Sequence, residues 1–290
     1  MTDSNEFLNK LRSSKCSQPV RQRWSTRKIM VVVAGSALIF GLIAGYQRAL
    51  RQARQSARTS HCLNNLKQIG LAIESYRQNP YVQTGNFAAY PPGTIPNPAL
   101  PLERRVGWAT LIYRDDTEGC SGCPSISPWL GWDDPSQEHG ATFEANKMYC
   151  PGCPYPTAAR KLVPASYIAI AGLGTDAPGL PKQHPRAGIF GDDRTTSPAD
   201  VRDGLANTLM IVESLEPAGP WFAGGRQTVR GLDPLRQPYL GPGRQFGGIH
   251  DGRTNVLMAD GSVRSFRDAI DPKVFEALST MSGGEKVSVP

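Results

Sequence analysis

The chain has 290 residues, a net charge of +7 and a mean hydropathy of −0.35. That is enough chain for one membrane anchor and one domain with a real core. Of the 32 Lys and Arg, eleven fall in residues 1–58 against only Asp3 and Glu6, which leaves 21 basic and 23 acidic residues in the remainder. This distribution argues against a nucleic-acid-binding domain and assigns the basic charge to a membrane surface beside an apolar segment.

In chain order, residues 1–28 read as a basic cytoplasmic segment, expected to be disordered. Residues 29–46, IMVVVAGSALIFGLIAGY, contain no charge. Eighteen helical residues rising about 1.5 Å each span about 27 Å, close to the apolar thickness of a bilayer. The leading region is long for a cleavable signal peptide and no A-x-A site follows, so an uncleaved transmembrane signal anchor is expected. The excess of basic residues before the span places the N-terminus inside. Residues 47–79 continue as an amphipathic helix. Ala49, Ala53 and Ala57 lie four apart, then Leu63, Leu66, Ile69 or Gly70, Ile73 and Tyr76 carry the apolar stripe onward. Asn79-Pro80 ends it, because the residue before proline is pushed out of the α region. Cys62, beside Leu66 on this stripe, reads as a small buried hydrophobe.

Residues 80–290 form the head. Most of the 30 Gly and 25 Pro lie here, which predicts loops around a small sheet. Short strands are expected at 166–171, 209–213, 256–259 and 263–266, with Asp260-Gly261 as a two-residue type I′ hairpin turn between the last two. DGLANTLM (203–210) echoes DGRTNVLM (251–258), as two similarly started strands of one sheet.

An insertion at about 115–156 carries Cys120-Ser-Gly-Cys123 and Cys150-Pro-Gly-Cys153. Two such pairs suit a structural zinc in a reducing compartment and disulfides outside it; with an exported head, disulfides rank ahead of zinc. Pro124 and Pro154 stand where haem attachment would need His. Asp192, Asp193, Asp200 and Asp203 offer hard oxygen ligands, but their spacing fits no dedicated calcium loop. His250 with Asp260 is either a metal or acid–base pair, or a hydrogen bond pinning the strand between them, and the hydrogen bond is favoured. Neither G-x-S-x-G nor H-E-x-x-H occurs.

The combination of His250 with Asp260-Gly261 nine residues later, CLNNLKQIGLAI (62–73, with Cys62, Asn64 and Asn65), SYIAIAG (166–172), GIFGDD (188–193) and DGLANTLMIVES (203–214) resembles the DUF1559 family. These are planctomycete pilin-like proteins related to type II secretion pseudopilins, and the resemblance runs from about residue 48 to 287. It implies an α+β, pilin-like fold, with a long N-terminal helix, transmembrane then amphipathic, packed on a small antiparallel sheet in a loop-rich head. Because the marker residues are turn, cap and strand formers rather than nucleophile–base sets, a non-catalytic structural role is expected, without small-molecule substrate and with no cofactor beyond a structural zinc. The partners would be the membrane and other pilin-like or secretion-system proteins, and the head would lie outside the inner membrane. The chain departs from the family at Ser25-Thr26-Arg27-Lys28-Ile29-Met30, where a Gly-Phe-Thr-Leu-Val-Glu type processing signal is usual. A tethered subunit is therefore expected rather than a fibre. The alternative is an exported metal-binding sensor or enzyme using His250 and Asp260 or the cysteines.

Overall fold

The computed structural model describes residues 25–79, 89–113, 126–138, 140, 145–151, 162–216 and 218–285. Two compact units emerge, residues 1–53 and 54–290. In the first, the described residues from Thr26 onward belong to helix α1 (Thr26–Gln78). Val31, Phe40 and Leu42 are exposed there, and by length and composition the helix is apolar enough to cross a membrane. The basic segment before residue 25 lies outside the described residues.

The second unit contains the rest of α1, the short helices α2 (Trp108–Tyr113) and α3 (Ala145–Met148), and a five-stranded sheet. Its strands are β1 (Tyr167–Leu173), β2 (Leu209–Glu213), β3 (Val229–Leu232), β4 (Arg253–Met258) and β5 (Val263–Arg267), followed by α4 (Pro272–Ser279). The order across the sheet is β3-β1-β2-β4-β5. All neighbours are antiparallel except β1 and β3. The α+β class with a long N-terminal helix is as expected; the sheet is mixed rather than purely antiparallel, because β3 joins the edge of β1 in parallel.

The head half of α1 buries Cys62, Asn65, Leu66, Ile69, Ile73 and Tyr76, an i, i+3, i+4 stripe that defines one helix face. The stripe is rotated slightly from the expected one: Asn65 is inside, Leu63 only partly so, and Asn64, Ala53 and Ala57 are exposed. Gly70 permits close approach to the sheet, since a Cβ there would stand 3.0 Å from Leu257 Cδ1. The Tyr90 hydroxyl donates to Ala259 O and its ring lies under Arg77, 4.8 Å from guanidinium carbon to ring centroid. At the other end of the unit, α4 starts on Pro272, and the Asp271 carboxylate accepts from the Lys273 N–H as its cap. Phe275 then packs against Tyr239 and Phe246.

Two of the marker segments meet in a backbone crossing. Gly172 (φ +118°) bridges Ala187, and a Cβ on it would fall 2.0 Å from Arg186 O and 2.5 Å from Gly188 N. Only glycine fits at this point, for both its space and its φ. Gly172→Ala is expected to lower stability by at least about 2 kcal/mol through overpacking and backbone strain. A denaturant midpoint unchanged from that of the native chain would contradict this.

The β4–β5 hairpin differs from the two-residue type I′ turn expected. Gly261 has φ +82°, whereas Asp260 is not in the positive region. Gly261 N donates to Met258 O and Met258 N to Ser262 O, the pattern of a three-residue loop built from a type I turn and a glycine bulge. Asp260 uses its side chain locally, accepting from Ser262 N at 2.8 Å. The turn with positive φ at both centres is instead Asp251 (+32°) and Gly252 (+71°). It closes with Arg253 N donating to His250 O at 2.7 Å. The two echoed segments do start neighbouring strands, β2 and β4. They are not equivalent, since residues 205–207 form a 3-10 turn before β2 whereas β4 begins directly.

Candidate functional site

The side chains that converge in this head come from four separate segments. Cys62 sits on the buried stripe of α1. Glu213 ends β2, opposite Tyr167 in the register, so both side chains lie on one sheet face. That face is the one toward α1, because Tyr167 Oη takes a hydrogen bond from Asn65 Nδ2 at 3.3 Å. His250 is presented by the Asp251-Gly252 turn ahead of β4. Cys150 follows α3, and the two residues before it are tied down: Asn65 Nδ2 donates to Tyr149 O, and Ser166 N donates to Met148 O.

The ligand-type atoms of Cys62, Cys150, Glu213 and His250 all lie within 4.8 Å of one another. The residues are 0, 3, 2 and 4 % exposed, so the pocket is sealed. Neither cysteine is in a disulfide. His250 Nδ1 faces Thr59 Oγ1 at 3.0 Å, and that hydroxyl donates to Gln55 O one helical turn back. With its single proton so used, Thr59 accepts from Nδ1–H, which turns Nε2 toward the cluster. Glu213 Oε2 accepts from Asn255 N at 3.1 Å. The remaining atoms, His250 Nε2 and Glu213 Oε1, are 3.4 Å apart, and neither has a well-formed hydrogen bond among the described residues.

Charge inside this pocket is tightly constrained. Burial pulls the His250 imidazole down, but Cys150 and Glu213 as acceptors outweigh it and raise its pKa to about 9. The Cys62 thiol is raised far above its usual range by its hydrogen bond with Cys150, by burial, and by the charges of Cys150 and Glu213. Burial likewise raises the Tyr167 phenol. Two thiols, a carboxylate and an imidazole in one dry pocket require a positive charge there, whether from a proton or from a cation. Gly248 leaves the room: a Cβ on it would stand 2.7 Å from both Glu213 Oε2 and His250 Cδ2.

Several expectations are corrected by this arrangement. His250 and Asp260 are not paired; β4 lies between them, and Asp260 is exposed in its turn. Cys62 is buried as expected, but it faces polar partners rather than a purely apolar core. Asn65 holds the Cys150 segment, whereas Asn64 is exposed. Of the four insertion cysteines, Cys120, Cys123 and Cys153 lie outside the described residues, and Cys150 is directed at Cys62, Glu213 and His250. Glu213 has little to mark it in the sequence; an acidic residue closing the apolar run LMIV is its only local signal. Three of the four aspartates with ligand-type oxygens are held in separate interactions. Asp193 pairs with Arg105, Asp200 accepts from Ser197 and Lys182, and Asp203 accepts from Gly283 N and Gly284 N. Elsewhere a cleft of about 490 Å³ is lined in part by Asp176, Asp192, Arg226 and Arg230, and among the described residues its lining holds no His, Cys, Ser or Lys.

Compared with known families, the chain matches the model SBP_bac_10, described as protein of unknown function (DUF1559), over residues 51–222 and 221–273. This is more than half of its length, and the chain belongs to that family. No curated protein and no solved structure matches it.

Proposed function

We propose that this DUF1559 protein is a membrane-tethered, pilin-like interaction protein of a secretion or cell-surface system, and that it has no catalytic role. The observation that carries this reading is α1: an uncharged, exposed apolar stretch and a stripe of buried core residues of the head lie on one helix of 53 residues. A helix of this kind holds a folded domain at a bilayer. The N-terminus would be cytoplasmic and the head outside the inner membrane, where other pilin-like or secretion-system proteins would meet it.

The second reading, an exported metal-binding sensor or enzyme, gains from His250 lying beside Glu213 and two cysteines. It loses the His250–Asp260 pair, and the cluster is too enclosed for a substrate to reach. Interaction is therefore preferred over catalysis.

Fractionation of cells expressing the full chain tests the proposal. The protein should stay in the membrane through an alkaline wash at its full-length mass. Protease added to the outer face should digest the head. A soluble product cut near residue 46, or a head protected from outside protease, would overturn the assignment. Cross-linking in the native host should then capture membrane-associated secretion or pilin-like components, and recovery of the head as a monomer only would count against the interaction role.

A further inference from the structure

We infer that Cys62, Cys150, Glu213 and His250 form a closed four-ligand site for a thiophilic divalent cation, with zinc as the metal whose chemistry fits. The inference is independent of the membrane reading. Two sulfurs, one imidazole nitrogen and one carboxylate oxygen are donors that zinc takes in tetrahedral sites. Here they lie within 4.8 Å of one another, and they arrive from a helix, a loop, a strand end and a turn. No local sequence pattern would bring these four together.

Supporting contacts are already arranged around the ligands. Thr59 fixes the imidazole by its Nδ1 face and leaves Nε2 for the metal, while Asn255 N holds Glu213 Oε2 and leaves Oε1 free to ligate. Such outer contacts orient metal ligands and set their basicity. The inward-facing Nε2 and Oε1 are the two cluster atoms without a well-formed hydrogen bond, and both are buried. A disulfide between Cys62 and Cys150 would use the sulfurs but leave the carboxylate and imidazole with only a proton to share. A dication satisfies all four donors, and on its entry the two thiol protons and the proton shared by His250 Nε2 and Glu213 Oε1 leave to solvent. With four protein ligands and no route for substrate, the metal would be structural, fastening α1 to β2 and to the turn before β4.

The test uses the full chain extracted in detergent, with Cys16, Cys120, Cys123 and Cys153 changed to Ser so that no other thiol contributes. One equivalent of zinc should survive desalting. Replacement by cobalt should give the thiolate charge-transfer and visible bands of a tetrahedral site. Cys62→Ser should abolish both signals, and Glu213→Gln, which keeps the side-chain shape, should weaken zinc binding about tenfold or more. Absence of metal, an intact Cys62–Cys150 disulfide by mass, or zinc retained in the Cys62→Ser chain would each overturn the site. Should the four-serine chain fail to fold, alkylation mapping of the native sequence decides. Cys62 and Cys150 should become reactive together only after chelation. Reactivity without chelator, or protection that yields only to reductant, would overturn the proposal.

Discussion

Glu213→Ala is expected to destabilise the head by about 3–5 kcal/mol, the usual result of removing one member of a buried charged pair. The carboxylate is 2 % exposed, and it accepts from Asn255 N while facing His250. Its loss leaves a buried backbone N–H and a buried imidazole without their partner. For a unit of this size, each kcal/mol shifts the melting temperature by about 2–4 °C. Thermal unfolding of the extracted protein should therefore fall by about 10 °C. Asp176→Ala provides the contrast, since its pair with Arg186 is exposed on both sides. That change should cost about 1 kcal/mol or less. Equal shifts for the two variants would show that the cluster is not a buried electrostatic unit.

Arg194→Met is expected to be nearly as damaging, at about 3–4 kcal/mol. The Arg194 guanidinium is 9 % exposed and donates to the carbonyls of Ala171, Ala177, Leu180, Gly188 and Phe190. Burial lowers its pKa to about 10, with the charge of Asp192 opposing the shift, so it stays charged near neutral pH. Methionine keeps the apolar stem but supplies no donor, and the carbonyls it leaves behind lose a charged partner each. Denaturant unfolding measures the effect; a loss below about 1 kcal/mol would mean that these loops hold without the cation. This residue also accounts for much of the GIFGDD segment: Gly191 leaves space for the guanidinium, with a Cβ there falling 2.6 Å from Arg194 Cζ.

Much of this fold is legible from local patterns, and the reasons are physical. The apolar span, the buried stripe of α1 and strands β1, β2, β4 and β5 all follow from periodicity and apolar runs, which report burial directly. Strand β3, VRGL, is missed because four residues with a central Arg and Gly carry no such run. Its place beside β1 comes from tertiary pairing. Asp260-Gly261 marks the hairpin but not its turn type, since one added loop residue lets Asp260 keep an ordinary φ and leaves the positive φ to Gly261 alone.

The site is less legible than the fold. Cys62 and His250 stand out in the sequence, and Cys150 does so as half of a C-x-x-C pair, which draws attention to Cys153 rather than to Cys62, Glu213 and His250. Glu213 looks like the polar end of a strand. What joins the four is the packing of α1 across the face that carries Tyr167 and Glu213, and that contact is set by the whole stripe from Cys62 to Tyr76 rather than by any residue near a ligand. Residue spacing along one segment cannot encode it.

The most direct measurement is zinc K-edge X-ray absorption on the full-length protein. The four-residue cluster requires two sulfurs at about 2.3 Å and two nitrogen or oxygen ligands at about 2.0–2.1 Å. A shell of four sulfurs would place the metal on the paired C-x-x-C motifs instead, and a protein without zinc would contradict the site altogether.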